Sequence, residues 1–195
     1  MGLSLVTAPT GEHLTLVEAR DHLKVETSED DGLIAGYILA AREAAENYTR
    51  RKFYTQTWDF TIDGTWPTEK VNGYARPRII LPLPPVQSVS SITYYDTSGV
   101  QQTLAADQYR VSLKEYAGRI EPAYGVTWPS VRDMMETITV RMVVGYTALP
   151  EAIRQALKLT IGHYYANRES VVIGTISTEL PQSAQLLLDQ YRSYS

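Results

Sequence analysis

Apolar side chains recur with helical spacing in the first quarter of the chain and again after Pro150. The first stripe has a period near 3.6 residues and consists of Ile34, Ile38, Ala41, Ala45 and Tyr48. Ser28 precedes it as a candidate N-cap, and the acids that follow suit the positive end of a helix dipole. The second stripe consists of Ile153, Leu157, Ile161 and Tyr164 or Tyr165. Neither stripe can be buried alone, so the pattern predicts two amphipathic helices that pack against each other.

A shorter helix is indicated just before the first stripe. Thr15 and Glu18 are spaced as a capping box, in which each side chain bonds the other residue's backbone N–H. Ala19 and Leu23 then fall on one face, and the pattern ends near Lys24.

From Thr55 the period changes to two, which is typical of strands. The segments predicted as strands are short, end at Gly, Pro or Asp, and cover residues 55–63, 78–81, 87–96, 100–104, 109–113, 119–121 and 137–144. Residues 65–78 read as a loop or irregular hairpin. Strict alternation within 87–96 places Val89 on the face opposite Ile92 and Tyr94.

The order of these blocks predicts an α+β fold, in which N-terminal helices and a C-terminal helix form a helical core and a small antiparallel β-region is inserted between them. The predicted divisions are a helical part of the core at 1–54, the β-rich insertion at 55–147, and the completing helix at 148–169. Residues 170–195 are predicted as a mobile linker and a short terminal helix, because 170–180 is β-branched and nearly uncharged.

Composition narrows the possible functions. The chain has no cysteine, which excludes disulfides and thiolate chemistry, and its net charge of −4 argues against a broad grip on nucleic-acid phosphates. The chain has fourteen tyrosines and two phenylalanines. Tyrosine is enriched where one side of the ring is buried and the other contacts water, as at protein interfaces. No apolar run approaches the roughly 20 residues that span a bilayer, so no membrane partner is expected.

Nothing in the sequence has the spacing of a reaction site. His13, His22 and His163 are the only histidines, and none has a second histidine three or four residues away as a helical metal site requires. Phosphate loops, dinucleotide fingerprints and nucleophile elbows are absent. We therefore expect no catalytic residue, no metal, no cofactor and no enzymatic activity.

The order of several packing and turn signatures resembles the long form of the tailed-phage head–tail connector family. The signatures that carry this resemblance are residues 81–86 (LPLPPV) before the 88–96 strand, 109–111 (YRV), 118–120 (GRI), 128–129 (WP), 143–146 (VVGY), 150–156 (PEAIRQA) and 163–169 (HYYANRE). The likeness extends over nearly the whole chain from about Thr15.

The resemblance implies a structural neck adaptor of a phage or prophage, made in the host cytoplasm and located in the virion between head and tail. It implies a ring of identical copies, twelve in the virion, that binds the portal protein above and a stopper or tail protein below. Duplex DNA would pass through the lumen without specific binding, which an acidic chain suits.

The resemblance also points to the C-terminal segment, roughly 178–195, as the part that contacts the portal. The residues proposed to anchor this interface are Leu186, Leu187, Leu188, Tyr191, Arg192 and Tyr194. On this reading the tail becomes ordered on its partner. The alternative is that the terminal helix folds back on its own core.

A different function class also fits parts of the sequence. The β-rich region could be a DNA- or carbohydrate-binding module, such as a phage baseplate domain, with the helices as scaffold. That function requires a basic or aromatic cluster in the β-region, whereas acidic residues are spread through it.

Overall fold

The computed structural model describes residues 1–114, 117–167 and 180–193. The chain divides into two compact units. A β unit comprises residues 1–10 and 55–146, and a helical unit comprises residues 11–54 and 147–195. The fold is α+β with antiparallel sheets, as the sequence predicts.

The helices of the helical unit are α1 (Leu16–Leu23), α2 (Asp31–Thr49), α3 (Glu151–Ala166) and α4 (Gln182–Leu188), with a 3₁₀ turn at Asp189–Tyr191. The capping box of α1 is confirmed: the Glu18 N–H donates to Thr15 Oγ1 at 3.2 Å, and the Thr15 N–H donates to the Glu18 carboxylate at 2.9 Å. Helix α2 begins later than predicted. Its N-cap is Asp30 rather than Ser28: the Ile34 N–H donates the first helical hydrogen bond to the Asp30 carbonyl at 2.9 Å, whereas the Ser28 carbonyl accepts from the Asp31 N–H in the preceding turn.

The two predicted apolar stripes form the core of the helical unit. Ile34, Ile38, Ala41 and Ala45 on α2 are buried, and so are Ile153, Leu157 and Ile161 on α3. The two helices contact each other directly, and α1 and α4 also contact α3. The prediction that these stripes pack together is confirmed. No helix in the described part of the chain is long and apolar enough to cross a membrane.

The β unit contains ten described strands. They are β1 (Gly2–Thr7), β2 (Gln56–Ile62), β3 (Thr68–Val71), β4 (Tyr74–Pro77), β5 (Ile79–Ile80), β6 (Val86–Tyr95), β7 (Gln101–Thr103), β8 (Tyr109–Ser112), β9 (Arg119–Pro122) and β10 (Ile138–Val144). A five-stranded sheet has the order β1-β2-β10-β6-β7, a hairpin joins β3 to β4, and a three-stranded sheet has the order β5-β9-β8. All strand pairings in the described part of the chain are antiparallel.

The first ten residues differ from the sequence-based prediction. The segment 1–54 was expected to be helical, but Gly2–Thr7 forms strand β1 at one edge of the five-stranded sheet. Its pairing with β2 satisfies one side of its backbone, and Leu3 and Leu5 lie opposite Phe60 and Trp58. The rest of the helical prediction fits α1 and α2.

Strand β6 breaks the alternation that the sequence indicates. Seven of its ten residues pair with the seven residues of β10, and the two register shifts leave Ser90 and Gln87 as additional residues. Each bulge inserts one residue and so reverses which side chains face inward. Val89 therefore packs against the same core as Ile92, although the sequence places them on opposite faces. The Gln87 side chain donates to the Gly145 carbonyl at 2.8 Å.

The core of the β unit is built mainly from aliphatic side chains. It includes Ile62, Ile92, Ile120, Ile138 and Met142, with aromatic rings packed around them. Trp66 and Trp128 stack with ring centroids 4.5 Å apart, and the Trp66 indole donates to the Pro129 carbonyl at 2.7 Å. These two rings thus pack against each other and against the core.

Candidate assembly surfaces

The six residues predicted as an interface do not share one environment. Leu186 is 70% exposed and Leu187 is partly buried, whereas Leu188 is fully buried. Consecutive helical residues are about 100° apart, so three leucines in a row cannot face the same partner. Tyr191 is partly buried, Arg192 is exposed, and Tyr194 lies outside the described residues.

The turn after α4 is held by the C-terminal end of α2. The Tyr48 hydroxyl donates to the Asp189 carboxylate at 2.6 Å, and the Arg51 Nε donates to the Tyr191 carbonyl at 2.5 Å. The Ser193 N–H donates to the Thr49 carbonyl at 2.8 Å. Residues 180–193 therefore make the contacts that the folded-back alternative requires.

Arg192 contributes a further contact to this end of α2. Its guanidinium carbon lies 5.0 Å from the centroid of the Tyr48 ring, within the range of a cation–π interaction. Leu186 is the strongest apolar candidate that remains exposed on α4. The predicted linker 170–179 lies outside the described residues, and the prediction that the tail orders on a partner stays a prediction.

Strand β1 is a second exposed apolar feature that the sequence reasoning missed. All six of its residues are exposed. Leu3 is 43% exposed and Leu5 is 49% exposed. The signal that could have found this strand is the alternation of Leu3, Ser4 and Leu5 in a segment without a charged side chain before Glu12.

An arginine-rich surface lies on the three-stranded sheet. Arg78, Arg110 and Arg119 line one open cavity together with Glu121. The Arg78 guanidinium donates to Glu121 at 2.6 Å and to Glu69 at 2.6 Å. These hydrogen bonds, with that to Glu69 first, raise the pKa of Arg78 further above its ordinary range. Part of the positive charge is therefore neutralised within the chain, which weakens this surface as a phosphate-binding site.

The ionisable groups around α1 serve packing and capping. The backbone N–H of Thr15 is the main cause that holds the pKa of Glu18 below its usual value, and Arg154 adds a favourable charge. The Arg154 guanidinium bonds both the Glu18 carboxylate at 2.9 Å and the His13 carbonyl at 2.8 Å. The His13 ring stacks on Tyr54 with centroids 4.6 Å apart. Within the described ranges, no group of three or more acidic, histidine or cysteine side chains is arranged to hold a metal ion.

Comparisons with known proteins place these features in a family. The family model described as "Head completion protein" matches residues 12–194, which include most of both units. A comparison with curated protein sequences finds no match.

Solved structures of similar fold come from gene transfer agent (GTA) particles. A chain of the neck of an empty GTA particle, computed with C6 symmetry, is 24% identical with a TM-score of 0.77. A chain of the native GTA virion is 25% identical with a TM-score of 0.76. A chain of the native GTA neck, computed with C12 symmetry, is 25% identical with a TM-score of 0.75. Each match covers 100% of this chain and 97% of the other.

The resemblance seen in the sequence is thus confirmed by the family model and by the shared fold. Because the model covers residues 12–194, the chain belongs to the head completion protein family.

Proposed function

We infer that this chain is a head–tail connector of a tailed phage, a prophage or a related particle, and that it forms a ring in the neck. The observation that carries this function is the family match over residues 12–194. The agreement in fold over the full chain with neck structures computed with C6 and C12 symmetry supports a homo-oligomeric ring. The alternative, a β-rich binding module with helices as scaffold, is not favoured, because the family match includes the helices as well as the sheets.

The proposed ring contains twelve copies in the virion and sits beneath the portal, with a stopper or tail protein on its other side. Neighbouring copies in a ring meet through two different complementary faces. Duplex DNA passes through the lumen, and the net charge of −4 per chain limits tight phosphate binding there. The role is structural, and the proposal includes no catalysed reaction.

Within this role, we assign the portal contact to the exposed side of α4. Leu186 is the side chain placed for it, because it is 70% exposed although it belongs to a helix whose other leucines are partly or fully buried. Leu188 supports the same surface from inside the helical unit. Truncation of Leu188 would therefore change both the stability of the fold and the binding to the portal. A substitution at Leu186 tests binding alone.

The test combines purified chain with portal rings and images the product by negative-stain electron microscopy. The wild-type chain should add a ring of density beneath the portal. Leu186→Lys should lose this density, because an ammonium group would lose water in the contact without gaining a partner. Val17→Lys is the matched control, since Val17 is an exposed apolar residue on α1 of the same unit. A wild-type chain that never associates with portal rings contradicts the connector function. Normal assembly of Leu186→Lys contradicts only the assignment to α4.

A further inference from the structure

The outer edge of β1 is an unprotected strand edge. β1 is the last strand of the five-stranded sheet, so only β2 pairs with it among the described residues. Leu3 and Leu5 share the face of their partners Phe60 and Trp58, and Phe60 is part of the core. The apolar face of the sheet therefore continues past β2 onto a strand on which both leucines remain nearly half exposed.

The other strand edges in the described part of the β unit are protected. β7 has three residues and β5 has two, which gives a partner little backbone to pair with. The β3–β4 hairpin carries charged side chains and ends in a proline, and β8 carries Arg110. Short length, charge and proline are the devices by which native sheets prevent edge pairing. β1 has six residues, no charge and no proline, and its one irregularity is the register shift at Val6.

A second copy of this chain is the occupant that the charges favour. Each copy carries a net charge of −4, so two copies repel at long range, and an uncharged contact surface adds no further like-charge repulsion. No side chain between Gly2 and Gly11 is charged, which makes β1 a place where like-charged copies can approach closely. The matched neck structures were computed with C6 and C12 symmetry, so in the proposed ring a second copy of the chain lies beside each subunit.

We propose that the free edge of β1, residues Gly2–Thr7, pairs with a strand of the neighbouring copy in the ring and that Leu3 and Leu5 are covered in this contact. The inference rests on the proposed ring. Backbone hydrogen bonds supply the pairing, and the two leucines supply the apolar contact. A stable interface buries about 800 Å² per partner, so β1 is one element of the contact between copies rather than all of it.

The first experiment uses the absence of cysteine in the chain. A single cysteine introduced by Leu5→Cys reports on β1, and Val100→Cys reports on a similarly exposed position elsewhere in the β unit. Each variant is reacted with a maleimide dye, free in solution and in rings assembled on portal. We expect Leu5→Cys to react in the free chain and to lose its reactivity in the ring. Equal reactivity of Leu5→Cys in both states would overturn the proposal.

Hydrogen exchange separates strand pairing from mere covering of side chains. Backbone amides of residues 2–7 in the wild-type chain should exchange more slowly in the portal-bound ring than in the free chain. Unchanged exchange there would overturn the pairing. Leu5→Lys should also require a chain concentration about tenfold higher than wild type to complete rings, which corresponds to a loss of about 1.4 kcal/mol. Val100→Lys should assemble as wild type, and assembly of Leu5→Lys at the wild-type concentration would again refute the proposal.

These outcomes are distinct from failure of the proposed function. If wild-type chain forms rings on portal but β1 shows neither protection nor sensitivity, the ring stands and the β1 contact is wrong. If the wild-type chain forms no ring, both the proposed connector function and the proposed β1 contact are refuted.

Discussion

Replacing Leu157 by alanine should strongly destabilise the helical unit. Leu157 is buried on α3, one turn from Ile153 and one turn from Ile161, where α3 contacts α2. The substitution removes three carbon atoms, worth about 2.4 kcal/mol of transfer free energy at about 0.8 kcal/mol each. A residual cavity adds to this value, so we expect a total loss of about 2–5 kcal/mol.

Denaturant titration followed by far-ultraviolet circular dichroism measures this loss, and a thermal melt should show a midpoint lower by about 4–20 °C. Leu186→Ala is the matched control, because the same residue type in the same unit is mostly exposed and should change the unfolding free energy by less than about 0.5 kcal/mol. An equally small change for Leu157→Ala would refute the reasoning, since it would mean that α3 does not close the core.

Three further perturbations test local features. Thr15→Ala should cost about 1 kcal/mol in a thermal melt, because it removes the cap of α1. Gly99→Ala should cost about 1–2 kcal/mol, since its φ of +82° strains an L-residue, whereas Gly36→Ala inside α2 should be neutral or stabilising. Hydrogen bonds, first from the Gln102 side chain, hold the pKa of Asp96 below its ordinary value of 3.8. The ionised carboxylate therefore stabilises the fold above about pH 4 and loses this effect as pH falls through the lowered pKa. Urea titrations across acidic pH should show less acid sensitivity in Asp96→Asn.

The helical unit could be predicted closely from the sequence because its signals are local. A capping box needs only residues three apart, and an apolar stripe identifies its own buried face. The sequence also indicated that the two apolar stripes pack against each other, because neither stripe can be buried alone. The start of α2 was placed too early, because Ser28 and Asp30 are both good N-caps and only the folded turn distinguishes them.

The β unit was less predictable because its decisive features are not local. The bulges at Ser90 and Gln87 depend on how β6 fits the shorter β10, and the sequence of β6 carries no signal that predicts them. Gly2–Thr7 is a strand paired with β2, which lies about 50 residues later, and the weak local alternation of Leu3 and Leu5 does not identify that partner. The different exposures of Leu186 and Leu188 likewise follow from how α4 docks, which the sequence of three leucines leaves open.

The division of the helical unit into two stretches of sequence imposes an order on its synthesis. Helix α2 ends at Thr49 and its partner α3 begins at Glu151. At ribosomal speeds of about 5–20 residues per second, roughly 5–20 s pass between the synthesis of the end of α2 and the synthesis of the start of α3. The strands of the β unit, β1 included, have all been made by Val144. The sheets can therefore pair before α3 has been made, when Ile34 and Ile38 still lack the helix that covers them in the folded unit. Transiently exposed apolar surface of this kind makes a nascent chain prone to aggregation.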